Sequence, residues 1–315
     1  MSRCFKKCNI FKLFNPKFYK NKKSLTIVQL EHTPQNTKIE RKNIKIEEEI
    51  INFNIEDYKH KKLMEGTYSM LFCINKNNKK YTCKKINKKN VNRCLDELTN
   101  IQILKGSRLP NFHDFRSSQD HFYLLYDFIP GNDLYTVLDH HEIKIKRNFK
   151  LIATIIYEIT LGLKELFLQN KIHLDLKPEN IIISSLKPVK LTLIDLEFCK
   201  NINVIKRISY SGTLGWSSPE VILYNTFYYN TDIWSLGLIL YTLFTGKMLF
   251  VANTKQEYIN ALMTYTNLKD IANLNIKNTT KNGYNLLYNM IHPKHIFRYS
   301  IDEVLQSDFL KLVDK

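Results

Sequence analysis

The chain has 315 residues, 44% of them hydrophobic, and a formal net charge of +17, which gives one large domain or two smaller ones enough apolar material for a sizeable core. No run of about 18 or more apolar residues occurs, so no membrane-spanning helix is expected, and no secretory apolar region follows the basic start. The cysteines Cys4, Cys8, Cys73, Cys83, Cys94 and Cys199 show no zinc-type paired spacing and read as reduced thiols of an intracellular protein of the cytoplasm or nucleus.

Residues 1–57 read as a basic, polar leader without regular patterning. Arg3, Lys6, Lys7, Lys12, Lys17, Lys20, Lys22 and Lys23 stand there without an acid among residues 1–30, interleaved with Phe5, Ile10, Phe11, Leu13, Phe14, Phe18 and Tyr19. Three roles fit: a disordered tail, an arm on an anionic membrane surface with Cys4 or Cys8 lipidated, and a nuclear or nucleic-acid-binding arm. Asn9, Asn15, Pro16 and Asn21 work against a long continuous helix. The absence of Gly at position 2 excludes myristoylation on motif grounds.

Residues 58–128 alternate short β-like runs with one helix. The runs from Lys62 to Phe72 and from Tyr81 to Ile86 flank an Asn-rich turn, Asn75 to Asn78, which predicts a hairpin. Val91, Cys94, Leu98 and Ile101 then recur at helical spacing. Two further strand-like runs follow, the second from His121 to Phe128, and Ile129-Pro130-Gly131 breaks the pattern.

The remainder is mostly helical. Phe149, Ile152, Ile156, Ile159, Leu163 and Leu166 alternate in threes and fours, which predicts an amphipathic helix. That helix leads to His173-Leu174-Asp175-Leu176-Lys177-Pro178-Glu179-Asn180, and Asp195 follows a strand-like run, Leu191-Thr192-Leu193-Ile194. This is equipment for phosphoryl transfer. One carboxylate orients a hydroxyl, an ammonium neutralises phosphate charge, and an amide and a second carboxylate hold magnesium. The apolar stretch from Trp234 to Leu249, interrupted by Ser235, Thr242, Thr245 and Lys247, reads as a buried helix.

The loop from His173 to Asn180 resembles the catalytic loop of eukaryotic protein kinases, of the form His-Arg-Asp-Leu-Lys-x-x-Asn. Lys177, two residues after Asp175, points to the serine/threonine branch. The resemblance runs from about residue 58 to the C-terminus. It implies an α+β, bilobal fold: a small β-rich lobe over 58–128 with one key helix, and a larger, mostly helical lobe over 129–315. The divergent motifs and the Asn-, Lys- and Ile-rich composition resemble kinases of large DNA viruses or AT-rich protists.

The resemblance further implies ATP and Mg2+ as cofactors and assigns residues to them. Asp175 would be the catalytic base, Lys177 would sit against the transferring phosphate, and Asn180 and Asp195 would hold the metal. Lys84, with Lys85 as its neighbouring alternative, would bind the α- and β-phosphates and pair with Glu97, for which Asp96 competes. Gly66, with the amides of Thr67 and Tyr68, would cover the phosphates, and Leu63 and Met70 would form an apolar lid over the adenine. The Asp127 carbonyl and the Ile129 amide would bind the adenine edge. Asp133 would either bind the ribose hydroxyls or cap a helix beginning at Leu134. Downstream, Gly212-Thr213 and Ser218-Pro219-Glu220 resemble the end of an activation segment, Asp232 to Gly237 the buried central helix, and Arg298 the partner of Glu220.

Three departures from the family pattern stand out. Met64, Gly66 and Ser69 occupy the places of a Gly-x-Gly-x-x-Gly loop, which points to reduced nucleotide affinity. Asp195-Leu196-Glu197 stands for Asp-Phe-Gly, and a side chain at the third place resists backbone flipping. Leu174 replaces the arginine that normally receives an activation-loop phosphate, which predicts weak dependence on phosphorylation of Ser209, Tyr210 or Ser211. The activity expected is transfer of the γ-phosphoryl of ATP to Ser or Thr hydroxyls of protein substrates. A pseudokinase scaffold or nucleotide-binding module is one alternative. A small-molecule kinase is another, opposed by the segment from Gly212 to Glu220, which resembles a peptide-docking platform.

Overall fold

The computed structural model describes residues 12–14, 26–33, 36–43, 53–146, 148–202, 212–267 and 279–314. Ser209, Tyr210 and Ser211, and the side chains of the basic residues 1–30, lie outside the described part. Within the leader stretch, β1 (Lys12–Phe14), β2 (Thr26–Thr33) and β3 (Asn36–Asn43) form an antiparallel sheet in the order β1-β2-β3. No regular patterning in the sequence predicts these strands, although the run Thr26-Ile27-Val28 carries β-branched residues of high strand propensity.

A five-stranded sheet follows, ordered β4-β5-β6-β8-β7. Its strands are β4 (Lys59–Glu65), β5 (Ser69–Lys76), β6 (Lys79–Asn87), β7 (Phe112–Ser117) and β8 (His121–Asp127). β4 and β5 pair antiparallel, with a register shift between Lys62 and Met64 that leaves Leu63 at a bulge. The β5–β6 hairpin closes on Asn77 and Asn78, with φ of 50° and 61°. Two adjacent left-handed residues suit the twist of a tight hairpin, and Asn tolerates that region. Between β6 and β7 runs α1 (Val91–Ile103), which buries Cys94, Glu97, Leu98, Asn100 and Ile101.

The helical part begins after Gly131, whose φ of +115° and missing Cβ are both required: a Cβ there would lie 2.0 Å from the Ile183 carbonyl oxygen. The short β9 (Asn132–Asp133) pairs with β11 (Ile181–Leu186), which pairs in turn with β12 (Val189–Leu193). Helix α2 (Leu134–Lys146) precedes α3 (Phe149–Phe167). In α3, Asn148 caps the N-terminus by accepting from the Leu151 amide at 3.0 Å, and Ile152, Ile156, Ile159, Leu163 and Leu166 are buried as the periodicity predicts. Then come β10 (Lys171–Ile172), paired with β13 (Lys200–Asn201), and α4 (Pro219–Tyr224). Helix α5 (Thr231–Thr245) is buried almost throughout. It is shorter than the stretch read as one helix to Leu249, because Gly246 turns left-handed (φ 69°) and stops it. Helices α6 (Lys255–Asn267), α7 (Lys281–Met290) and α8 (Ile301–Gln306) complete the chain. None of the described helices is long and apolar enough to cross a membrane.

By contacts the chain divides into two compact units. One holds the described residues up to Lys79 with Cys83–Val91 and Asp114–Leu125; the other holds Lys80–Thr82, Asn92–His113 and the described residues from Tyr126 onward. The core of the first is made by Phe72, Ile74, Cys83, Ile86, Phe122 and Leu124. The core of the second centres on α3 and α5, where Phe244 meets Phe309 edge-on at 5.6 Å. The α+β layout thus matches the expectation. Helix α1 from Asn92 onward groups with the larger unit.

Candidate active site

The loop between β10 and β11 carries three of the expected residues, Asp175, Lys177 and Asn180. Its backbone is held from below by Asp232, near the start of α5, whose carboxylate accepts from the amides of His173 at 2.7 Å and Leu174 at 2.9 Å. Burial pushes the Asp232 carboxyl up from its ordinary value. Leu174 sits at φ 65°, a conformation a leucine adopts only when its surroundings impose it. Its side chain is buried in an apolar cluster with Ile172, Val221 and Phe227, against which Phe198 and Ile202 pack. The place of an arginine in the family is therefore filled by a core residue. The His173 ring accepts from the Asp175 amide at Nδ1 (3.3 Å), so Nε2 is the donor toward the Ile194 carbonyl at 3.1 Å. One imidazole thereby ties the loop to the chain just before Asp195.

Asp175 is 5% exposed and is the hub of the polar network. Its Oδ1 accepts from Thr213 Oγ1 at 2.7 Å, and its Oδ2 lies 3.2 Å from Lys177 Nζ. Lys177 Nζ in turn donates to Thr213 Oγ1 at 2.7 Å. Asn180 Nδ2 donates to the Asp175 backbone carbonyl at 2.8 Å and to Oδ2 at 3.1 Å. The carboxylate is thus oriented by an ammonium, a hydroxyl and an amide at once. In the sequence Thr213 stands out only as part of the stretch that resembles the end of an activation segment. Its role as the bridge between Lys177 and Asp175, across 36 and 38 positions, has no local signal.

Asp195 is half-buried and takes φ 64° ahead of a short turn, Leu196–Phe198. Glu197, in that turn, has negative φ, so this backbone does not need the glycine of the family pattern. One carboxylate oxygen each from Glu97, Asp195 and Glu197 lie within 4.8 Å of one another. Glu97 is 2% exposed and accepts from the Tyr126 hydroxyl at 2.5 Å. Burial, together with the nearby Glu97 charge, pushes the Tyr126 phenol well above its ordinary value, so it stays a neutral donor. No local pattern in the sequence singles out Tyr126. Asp96, the competitor of Glu97, is instead bonded to Lys200 at 2.9 Å.

The remaining candidates are placed as follows. Asp127 donates its amide to the Asn111 carbonyl at 3.0 Å, and Asn111 Nδ2 donates to its carboxylate at 2.7 Å. Ile129 is half-buried just beyond. Asp133 caps α2, accepting from the Thr136 amide and hydroxyl at 2.8 Å each. In the smaller unit, Lys84 is 7% exposed on β6 while Lys85 beside it is half-buried. Gly66 donates its amide to the Ser69 carbonyl at 2.9 Å and forms the β4–β5 turn, with Leu63 exposed on β4 and Met70 half-buried on β5.

Downstream, Glu220 and Arg298 form the expected pair. Arg298 Nη1 and Nη2 donate to Oε1 and Oε2 at 2.6 and 2.9 Å, a bidentate bridge with both side chains buried.

A family model described as a protein kinase domain matches residues 58–310. Among curated proteins, the human serine/threonine-protein kinase ULK3 is 31% identical over 176 residues, 54% of this chain and 37% of that protein. ULK3 of Xenopus laevis is 28% identical over 217 residues, 66% of this chain and 46% of that protein. An Aurora kinase of Debaryomyces hansenii is 32% identical over 196 residues, 60% of this chain and 42% of its own length. Each match thus spans less than half of the relative's length.

Proposed function

The chain belongs to the protein kinase family, and from that premise we propose that it is a serine/threonine kinase that moves the γ-phosphoryl of ATP to a protein hydroxyl. The single observation that carries this reading is the Asp175 carboxylate, held at once by Lys177, Thr213 and Asn180. A substrate hydroxyl placed at that carboxylate gives up its proton to it as the hydroxyl oxygen bonds to the γ-phosphorus and the bond to the β,γ-bridging oxygen breaks. Lys177 faces the same carboxylate, so its charge is available to the phosphoryl oxygens in flight. The protein does little covalent work; position and charge carry the rate.

The donor set fits a magnesium ion. Asn180 spends its amide nitrogen on Asp175, which leaves its side-chain oxygen as the ligand on offer. Asp195 adds a carboxylate, and hard oxygen donors of this kind suit Mg2+. When bound, the ion neutralises phosphate charge. Lys84 would hold the α- and β-phosphates and pair with Glu97. Leu63, Gly66 and Met70 would cover the nucleotide, and the Asp127 carbonyl and Ile129 amide would meet the adenine. Asp133 serves the cap of α2, and each of its oxygens keeps a second lone pair for a ribose hydroxyl.

The test is magnesium-dependent phosphorylation of generic protein substrates by the wild type beside Asp175→Asn and Lys84→Met. Loss of a positioned base removes about 10²–10⁴ in rate, so Asp175→Asn falls to background, and Lys84→Met, which removes the charge proposed for the α- and β-phosphates, falls with it. Equal signal from all three proteins overturns the reading. ATP binding by a wild type that transfers nothing identifies a scaffold instead.

A further inference from the structure

Helix α1 and the turn that follows Asp195 are laced together by side chains at successive turns of the helix. Arg93 Nη1 donates to Glu197 Oε1 at 2.8 Å, and its guanidinium stands 5.5 Å from the centroid of the Phe198 ring. Asp96 Oδ2 accepts from Lys200 Nζ at 2.9 Å. Asn100 Nδ2 donates to the carbonyls of Leu196 at 2.8 Å and Cys199 at 3.1 Å, while its Oδ1 accepts from Lys171 Nζ at 2.9 Å. Positions 93, 96, 97 and 100 lie three and four apart and so share one helical face. Glu97 is the member of that face that comes close to Asp195 and Glu197.

Three carboxylates at this separation repel one another. The Arg93 guanidinium brings a countercharge to the one of them that a kinase pattern does not supply, Glu197, whose side chain is only 11% exposed. Resting on the kinase reading above, we propose that Glu197 is a positioning residue: paired with Arg93, it fastens the Asp195 turn to α1 and keeps Glu97 and Asp195 at one fixed separation. Outward movement of α1 would break a charge-assisted hydrogen bond and strip Asn100, itself 3% exposed, from two carbonyls. The assembled arrangement is therefore held from within the chain by contacts that need no modification to form.

The experiment compares the full chain with Arg93→Gln, Glu197→Gln and the double variant. Amide hydrogen exchange is read over residues 92–103 and 195–200, and kcat and the Mg2+ dependence are measured in parallel. Each single variant is expected to speed exchange in both segments by about tenfold, about 1.4 kcal/mol. The double variant should go no further than the worse single, because the two side chains act as one unit. Both singles should lower kcat, and any shift of the Mg2+ half-saturation should be the same in both, because both release the Asp195 turn. Exchange that stays at the wild-type rate in both segments overturns the proposal, as do single effects that simply multiply. A shift of Mg2+ half-saturation in Glu197→Gln but not in Arg93→Gln also overturns it, because Glu197 would then be a metal ligand. A wild type without transferase activity refutes the kinase reading, and the exchange measurement still judges the clasp.

Discussion

Gly66 and Gly131 illustrate two different reasons for a glycine. Gly131 is demanded by the fold: its φ is +115° and a Cβ would strike the Ile183 carbonyl at 2.0 Å. Gly66 is not. A Cβ there would meet only the Ser69 carbonyl oxygen at 3.4 Å, an ordinary contact, and its φ lies outside the left-handed region. Nothing within the described chain demands glycine at 66, and the proposed kinase function supplies a reason of its own, close approach of the loop to phosphate. Gly66→Ala is therefore expected to leave the thermal midpoint unchanged or raise it slightly, since alanine restricts the unfolded chain by about 0.4–1 kcal/mol at a compatible site. The same variant should raise the KM for ATP several-fold with kcat little altered. A lowered midpoint with an unchanged KM would make Gly66 a purely structural residue. Gly131→Ala should behave in the opposite way and lose folded protein.

At the scale of elements, the most consequential substitution is Leu174 in the catalytic loop. An arginine at that place offers a guanidinium to an activation-loop phosphate, whereas Leu174 is buried with Ile172, Val221 and Phe227. A phosphate on Ser209, Tyr210 or Ser211 has lost that partner. Replacing all three with Ala is expected to reduce kcat by less than about tenfold, or about 1.4 kcal/mol of barrier; a larger loss refutes the argument. The loop itself was legible because its chemistry is packed into consecutive residues. Helix α3 was legible because its buried residues repeat with the helical period, and the β5–β6 turn because paired asparagines favour left-handed backbone. What escaped depends on distance along the chain. Tyr126 reaches Glu97 across 29 positions, Thr213 reaches Asp175 across 38 and Arg93 reaches Glu197 across 104. None leaves a local pattern. The same holds for the sheet order, in which β8 rather than β7 lies beside β6. The Glu220–Arg298 pair, 78 positions apart, was reached only through the family resemblance.

At the scale of the whole molecule, that pair is where a single interaction bears on stability most directly. Arg298 is buried, donates to Glu220 through two nitrogens, and also bonds the carbonyls of His292 at 3.2 Å and Asn230 at 3.3 Å. Thr231 Oγ1 donates to the same carboxylate at 2.9 Å. The pair thus joins α4, the start of α5 and the segment before α8. Burial pushes the Glu220 carboxyl up, but the Arg298 charge and hydrogen bonds outweigh it, and the group ends below its ordinary value. A carboxyl with a folded value below its unfolded one adds stability that is fully present above the unfolded value, about 4.3 for a glutamate. That stability is lost as pH falls through the folded value. Asp232, raised by burial, has the opposite sign in the same acid range, so the wild-type curve alone does not isolate Glu220. The difference between wild type and Glu220→Gln does. At neutral pH the variant is expected to be about 3–5 kcal/mol less stable, because Arg298 remains buried without its counter-ion. Below about pH 4.3 the gap should narrow, since the wild type then protonates the same carboxyl. Denaturant midpoints measured for both proteins from pH 7 down to pH 3 check this. A gap that stays constant with pH would mean that packing, not charge, holds these segments together.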